Sequence, residues 1–214
     1  MPEENPARKN QAGGARSLAD SLISYGAIGF ALIFFLFAVW GAYESYQHRT
    51  VFLTFCLVLT FATKPTFKDR DGSGKFSWVD MVLIGLSVGA GMYGALQNYD
   101  ILLREGEPIV TDIWVGGIVI LLTLEGTRRT AGLALPVIAG CFLLYSYFGP
   151  YFPSIIAHGG YPLDYMIAAN YMSDQGLYGI ILGVTADFIF LFVMFGALLE
   201  IAGAVNHFNK ISQS

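Results

Sequence analysis

The sequence predicts an all-α protein, a polytopic integral membrane helical bundle with about six transmembrane helices and both termini cytoplasmic. Three observations carry that prediction. The chain is 55% hydrophobic and only 13% charged, against roughly 25% charged in an ordinary soluble domain. Its twelve Lys and Arg and sixteen Asp and Glu gather in short clusters between long apolar runs, where a soluble protein would spread them along every helix. The cations also choose sides. With six crossings, ten of the twelve fall on one face and only Arg49 and Arg104 on the other; without the second crossing the division is eight against four. Lys and Arg accumulate in cytoplasmic connections, so the sharper division is preferred.

In chain order, residues 1–20 are a polar tail with Arg8, Lys9 and Arg16, too poor in apolar residues to order by itself. The first apolar run, 25–43, is span-length and bordered by aromatics, which reads as a retained helix and not as a cleaved signal peptide. The other runs are 51–63, 78–97, 109–124, 131–148 and 177–199. About 20 apolar residues at 1.5 Å per residue cross a hydrocarbon core of about 30 Å. The second run is the short one: it is either re-entrant or a span lengthened by a snorkelling Lys64. Trp40, Trp78 and Trp114 lie near the ends of runs, at the depth where amphipathic rings settle.

The connections hold few candidates for chemistry. Asp69, Asp71, Gly74 and Asp80 superficially follow a calcium loop, but the last acid is not the longer Glu and the flanks are apolar spans. Gly74-Lys75-Phe76 lacks the Ser or Thr and the upstream Gly of a phosphate loop. The third run carries two small-residue stripes, Gly85 with Gly89, and Ser87 with Gly91 and Ala95, suited to close helix packing. The stretch 124–136 holds the adjacent Arg128 and Arg129 and is expected as a tight connection between two spans. Glu125 stands three and four residues before the two arginines, within pairing distance if the helix continues, and these three residues are candidates for topology and an interdomain latch. Residues 149–176 contain no Lys or Arg, carry several Tyr and three Pro, and suit a short interfacial helix near 163–172. His158, Asp164 and Asp174 are the polar landmarks there and candidates for docking a partner. Asp187 is the ionisable side chain deepest in any run and a candidate for a substrate or ion path, and Gly183, Gly179 and Gly176, stepping back along its face, are expected to put it on a packed face away from lipid. Glu200 is thirteen residues further, so the two acids are not a catalytic pair. Cys56 and Cys141 read as apolar packing residues. No catalytic constellation, metal spacing or nucleic-acid motif is expected.

Taken together, the block 124–136, the block 144–150 with Tyr145, Phe148, Gly149 and Pro150, His158-Gly159-Gly160, Gly176-Leu177-Tyr178-Gly179 and the block 190–200 ending in Glu200 resemble one family. The chain resembles the fused membrane subunit of TRAP transporters, in the branch called TAXI. The resemblance implies a small-subunit-like scaffold of five helices over 21–150, a periplasmic loop over 151–176, the first helix of the large permease domain over 177–208 and a cytoplasmic end at 209–214. It implies a bacterial or archaeal inner-membrane location and sodium-coupled uptake of organic-acid-like solutes. The implied partners are a periplasmic solute-binding protein and the remaining large permease domain, with Na+ as coupling ion for the complete transporter and no other cofactor. The family's chain continues through solute- and sodium-binding hairpins past the position of Phe208, so this sequence is expected to supply the scaffold portion alone. A non-transporting assembly subunit or a truncated remnant is the alternative. An uncharged residue is the family's expectation where Asp187 stands.

Overall fold

The computed structural model describes residues 24–36, 45–68, 74–75, 77–104, 107–153 and 155–203. The polar tail, the end of the first apolar run with Trp40, the acids Asp69 and Asp71, and Phe208 and Lys210 lie outside them. Residues 1–41 form one unit and 42–214 another. The first contains helix α1 (Ser24–Leu36), in which the rings of Phe30 and Phe34, one turn apart, stand 4.3 Å from each other.

Among the described residues, the second unit consists of helices, their connections and one two-residue β-ladder. Helix α2 (Ser45–Thr63) is followed by β1 (Phe67–Lys68), antiparallel to β2 (Gly74–Lys75), then α3 (Trp78–Leu96), the short α4 (Asn98–Leu103) and α5 (Val110–Ala131). Helix α6 (Ala134–Tyr147) leads through a 3₁₀ turn (Gly149–Tyr151) to α7 (Leu163–Tyr171). Helix α8 (Ile180–Val184) then runs through a π-helical turn (Thr185–Ile189) into α9 (Phe190–Ile201), together one apolar helix of 22 residues. Helices α3 and α5 and this last helix are long and apolar enough to cross a membrane. At 1.5 Å per residue, 19 to 22 residues extend roughly 28–33 Å, about one hydrocarbon core.

Two expectations change here. The short second run becomes a 19-residue helix because the more polar Ser45 to Thr50 extend it backwards along α3. The arginine pair is the last turn of α5 and no part of a connection, which is reduced to Gly132 and Leu133. Gly132 has φ +88°, a conformation that costs glycine little and any residue with a Cβ more, and it turns the chain directly into α6. Basic side chains in a last turn also meet the negative end of the helix dipole.

Close backbone contact holds α2, α3, α5 and α7 together. A Cβ on Gly91 would overlap the Thr54 side chain, one on Gly94 would stand 2.9 Å from Thr50 Cγ2, and one on Gly116 would stand 2.7 Å from Ile167. Of the two stripes on α3, therefore, only the Ser87 and Gly91 face packs. Gly85 and Gly89 have open space beside them. Hydroxyls within the helices are satisfied internally: Thr50, Thr54, Ser87, Thr123 and Thr127 each donate to the carbonyl four residues back at 2.7–2.8 Å. That removes the cost of a bare polar group in an apolar medium.

Candidate functional site

Helix α3 begins with an acid that does two jobs. Asp80 Oδ2 accepts the Ser77 N–H at 2.9 Å, closing one of the open donors at the helix start. The same carboxylate receives the Thr66 hydroxyl at 2.6 Å and Arg129 Nη1 at 2.8 Å. Every nitrogen of the Arg129 guanidinium is engaged. Nε donates to Glu125 at 2.7 Å, Nη1 also to the Lys64 carbonyl at 2.8 Å, and Nη2 to Thr66 Oγ1 at 2.6 Å, while Cζ lies 4.8 Å from the centre of the Phe61 ring. The side chains of Arg129 and Asp80 are 3% and 0% exposed. A buried pair of this kind is tolerable only when its remaining donors and lone pairs are filled, as they are here. Glu125 also binds the more exposed Arg128 at 2.7 and 2.8 Å. One cluster thus ties the end of α2, the start of α3 and the end of α5.

The start of α5 repeats the device at the opposite end of these helices. Asp112 Oδ2 accepts the Ile109 N–H at 3.3 Å, Oδ1 takes the Tyr93 hydroxyl at 2.6 Å, and Arg104 approaches with Nε 3.2 Å from Oδ2. The Asp112 side chain is fully buried. In both clamps the third residue of a helix caps its own N-terminus and holds an arginine and a hydroxyl from other elements.

Beside the second clamp lies an aromatic and ionic seam. Tyr46 donates to the Tyr171 carbonyl at 2.9 Å, and the rings of Tyr46, Tyr171 and Tyr178 pack edge to face. Burial pushes the phenols of Tyr171 and Tyr178 well above the usual tyrosine range, so both stay neutral. Arg49 Nη1 donates to the Tyr178 carbonyl at 2.8 Å and pairs with Asp174 at 3.2 Å. Its guanidinium lies flat against Gly183, where a Cβ would come within 2.7 Å of Nε. One residue earlier, His48 Nε2 stands 3.1 Å from Asp187 Oδ1, at the π-helical turn. Comparison with protein-family models, with curated proteins and with solved structures finds no match.

The candidates from the sequence therefore separate. Glu125, Arg128 and Arg129 come together, with Asp80 as an added partner. Asp187 and Asp174 both bind α2, through His48 and Arg49. Asp187 was expected on a packed face; its side chain is 51% exposed, because the π turn and the pull of His48 set it at the edge of the α2 contact. His158 closes the turn after α6: its Nδ1 accepts the Gly160 N–H at 3.1 Å, so Nε2 carries the proton and donates to the Tyr145 carbonyl, 3.1 Å away. Asp164 sits exposed in the first turn of α7. Sequence reasoning missed Asp80 and Asp112 as clamps and His48 as a partner. Ser77-x-x-Asp80 has the spacing of a capping box and is the signal that points to the first; nothing comparable precedes Asp112. Among the described residues, no three His, Cys, Asp or Glu side chains gather as metal ligands.

Proposed function

We propose that this chain is the amino-terminal scaffold part of a TRAP-type permease of a bacterial or archaeal inner membrane. In that role it takes part in sodium-coupled uptake of organic-acid-like solutes together with a permease core and a periplasmic solute-binding protein. The observation that carries the reading is where the resembling blocks fall. Glu125, Arg128 and Arg129 form the joint between α2, α3 and α5. His158 ties the turn after α6, and the segment 176–179 brings the Tyr178 carbonyl to Arg49. Blocks that fasten helices to one another support a scaffold more than a solute-binding element. The three helices of membrane-crossing length support the setting.

The test is reconstitution in proteoliposomes with an imposed sodium gradient and labelled organic acids. Uptake is expected only when this chain, the permease core and the binding protein are all present. Uptake by this chain alone contradicts the proposal, and full uptake without it supports the alternative of an assembly subunit that moves nothing.

A further inference from the structure

Helix α6 is apolar up to Leu144 and ends in Tyr145, Ser146 and Tyr147; it contributes no buried residue, yet it does not lie flush on α5. Ile120 and Leu143 line two clefts between the helices, one of about 490 Å³ towards α7 and one of about 370 Å³ beside Thr123 and Phe142. The larger cleft is floored by Met166 and Ile167 of α7, and of its lining residues only Tyr147 has a hydroxyl, amide or charged group. Gly117 widens it from the α5 side: a Cβ there would meet nothing nearer than Ile167 Cδ1 at 3.7 Å. We take its mouth to be the end lined by Tyr147, Phe148 and Leu163, the end of α6 and the start of α7; Tyr147 packs on Phe148 and Phe148 on Tyr151, and Tyr161 stacks on Tyr165 at 5.3 Å in the segment that leads into α7. Such a collar of amphipathic rings belongs at headgroup depth.

The charges around this mouth discriminate between headgroups. From Thr130 to Asn209 the sequence has no Lys or Arg, and among the described residues the two Lys or Arg of this end, Arg49 and Arg104, are engaged by Asp174 and Asp112. Asp164 is exposed and follows the lining residue Leu163 directly in the chain, which sets a carboxylate beside the cleft. An anionic headgroup there would meet a carboxylate and, among the described residues, no Lys or Arg that is not already paired, whereas an ammonium would meet its complement. We propose that the cleft between α5, α6 and α7 is a site for one phospholipid with an amine-bearing zwitterionic headgroup of the phosphatidylethanolamine type. One acyl chain fills the space beside Ile120 and Leu143, and the ammonium group lies at Asp164. The inference needs the chain to be in a membrane and is independent of the transport reading.

The experiment is native mass spectrometry of the full chain, released from nanodiscs of equimolar phosphatidylethanolamine and phosphatidylglycerol. One retained phosphatidylethanolamine is expected, favoured about five-fold over phosphatidylglycerol, the size of one exposed ion pair. Leu143→Trp and, from the facing helix, Gly117→Leu fill the cleft and should each abolish retention; Asp164→Asn should leave retention but bring the two lipids close to parity. Ile181→Trp, on the exposed side of the last helix, is the control and should change nothing. Equal retention of both lipids by the unaltered chain, or retention surviving in whichever cleft-filling variant folds, overturns the proposal. A dimer mass in place of the lipid adduct also overturns it and assigns the face to a second copy.

Discussion

Arg129 and Asp80 show what a charge does inside this protein. Both side chains are almost completely buried, and Arg129 alone links Glu125, Asp80, Thr66 and the Lys64 carbonyl. Asp80→Ala leaves the guanidinium buried beside one remaining acid, and breaking a buried pair on one side costs about 3–5 kcal/mol. The unfolding midpoint in detergent should fall accordingly. Replacing both partners with apolar residues, Asp80→Leu with Arg129→Met, should recover most of the loss, because no uncompensated charge is left behind. A double variant as unstable as Asp80→Ala would show that the cluster acts through something other than charge pairing. The clamp was half legible. Glu125 and the arginines pair at helical spacing, which sequence displays directly. Asp80 is 49 residues from Arg129, and only the antiparallel arrangement of α3 and α5 brings them together.

The helices were more legible than their contacts. Apolar run length predicted α3, α5 and the last helix, and the tyrosine-rich loop predicted α7. The 19-residue extent of α2 was hidden because His48 and Arg49 look like loop residues until Asp187 and Asp174 are placed opposite them. The π turn at Thr185–Ile189 has no signature in the apolar pattern. On α3, composition shows two small-residue stripes, and only packing tells which one is used. Gly91→Ala should therefore destabilise the chain, since the new Cβ overlaps Thr54 and overpacking of this kind costs about 1–3 kcal/mol. Gly85→Ala, six residues earlier with open space beside it, should be neutral or stabilising by up to about 1 kcal/mol. Parallel thermal melts of the two variants check this, and equal effects would mean that α2 and α3 do not approach through Gly91.

Within the unit from α2 to α9, α3 runs antiparallel to α2 and α5, and these helices are fastened at both ends. Arg129 with Asp80 closes one end, and Arg104 with Asp112, beside Arg49 with Asp174, closes the other. Apolar run length made the helices of membrane-crossing length legible, while the clamps depend on tertiary approach and so stayed hidden. If α3 and α5 cross a bilayer, the two ends face different compartments. The direct measurement is labelling with a membrane-impermeant maleimide in intact spheroplasts, after Cys56 and Cys141 are replaced by Ala. Cysteine is introduced singly at the exposed positions Arg128 and Asp164. Asp164→Cys should label in intact spheroplasts, and Arg128→Cys only after the membrane is permeabilised. Labelling of both positions from the same side would contradict a scaffold that spans the membrane with one clamp at each face.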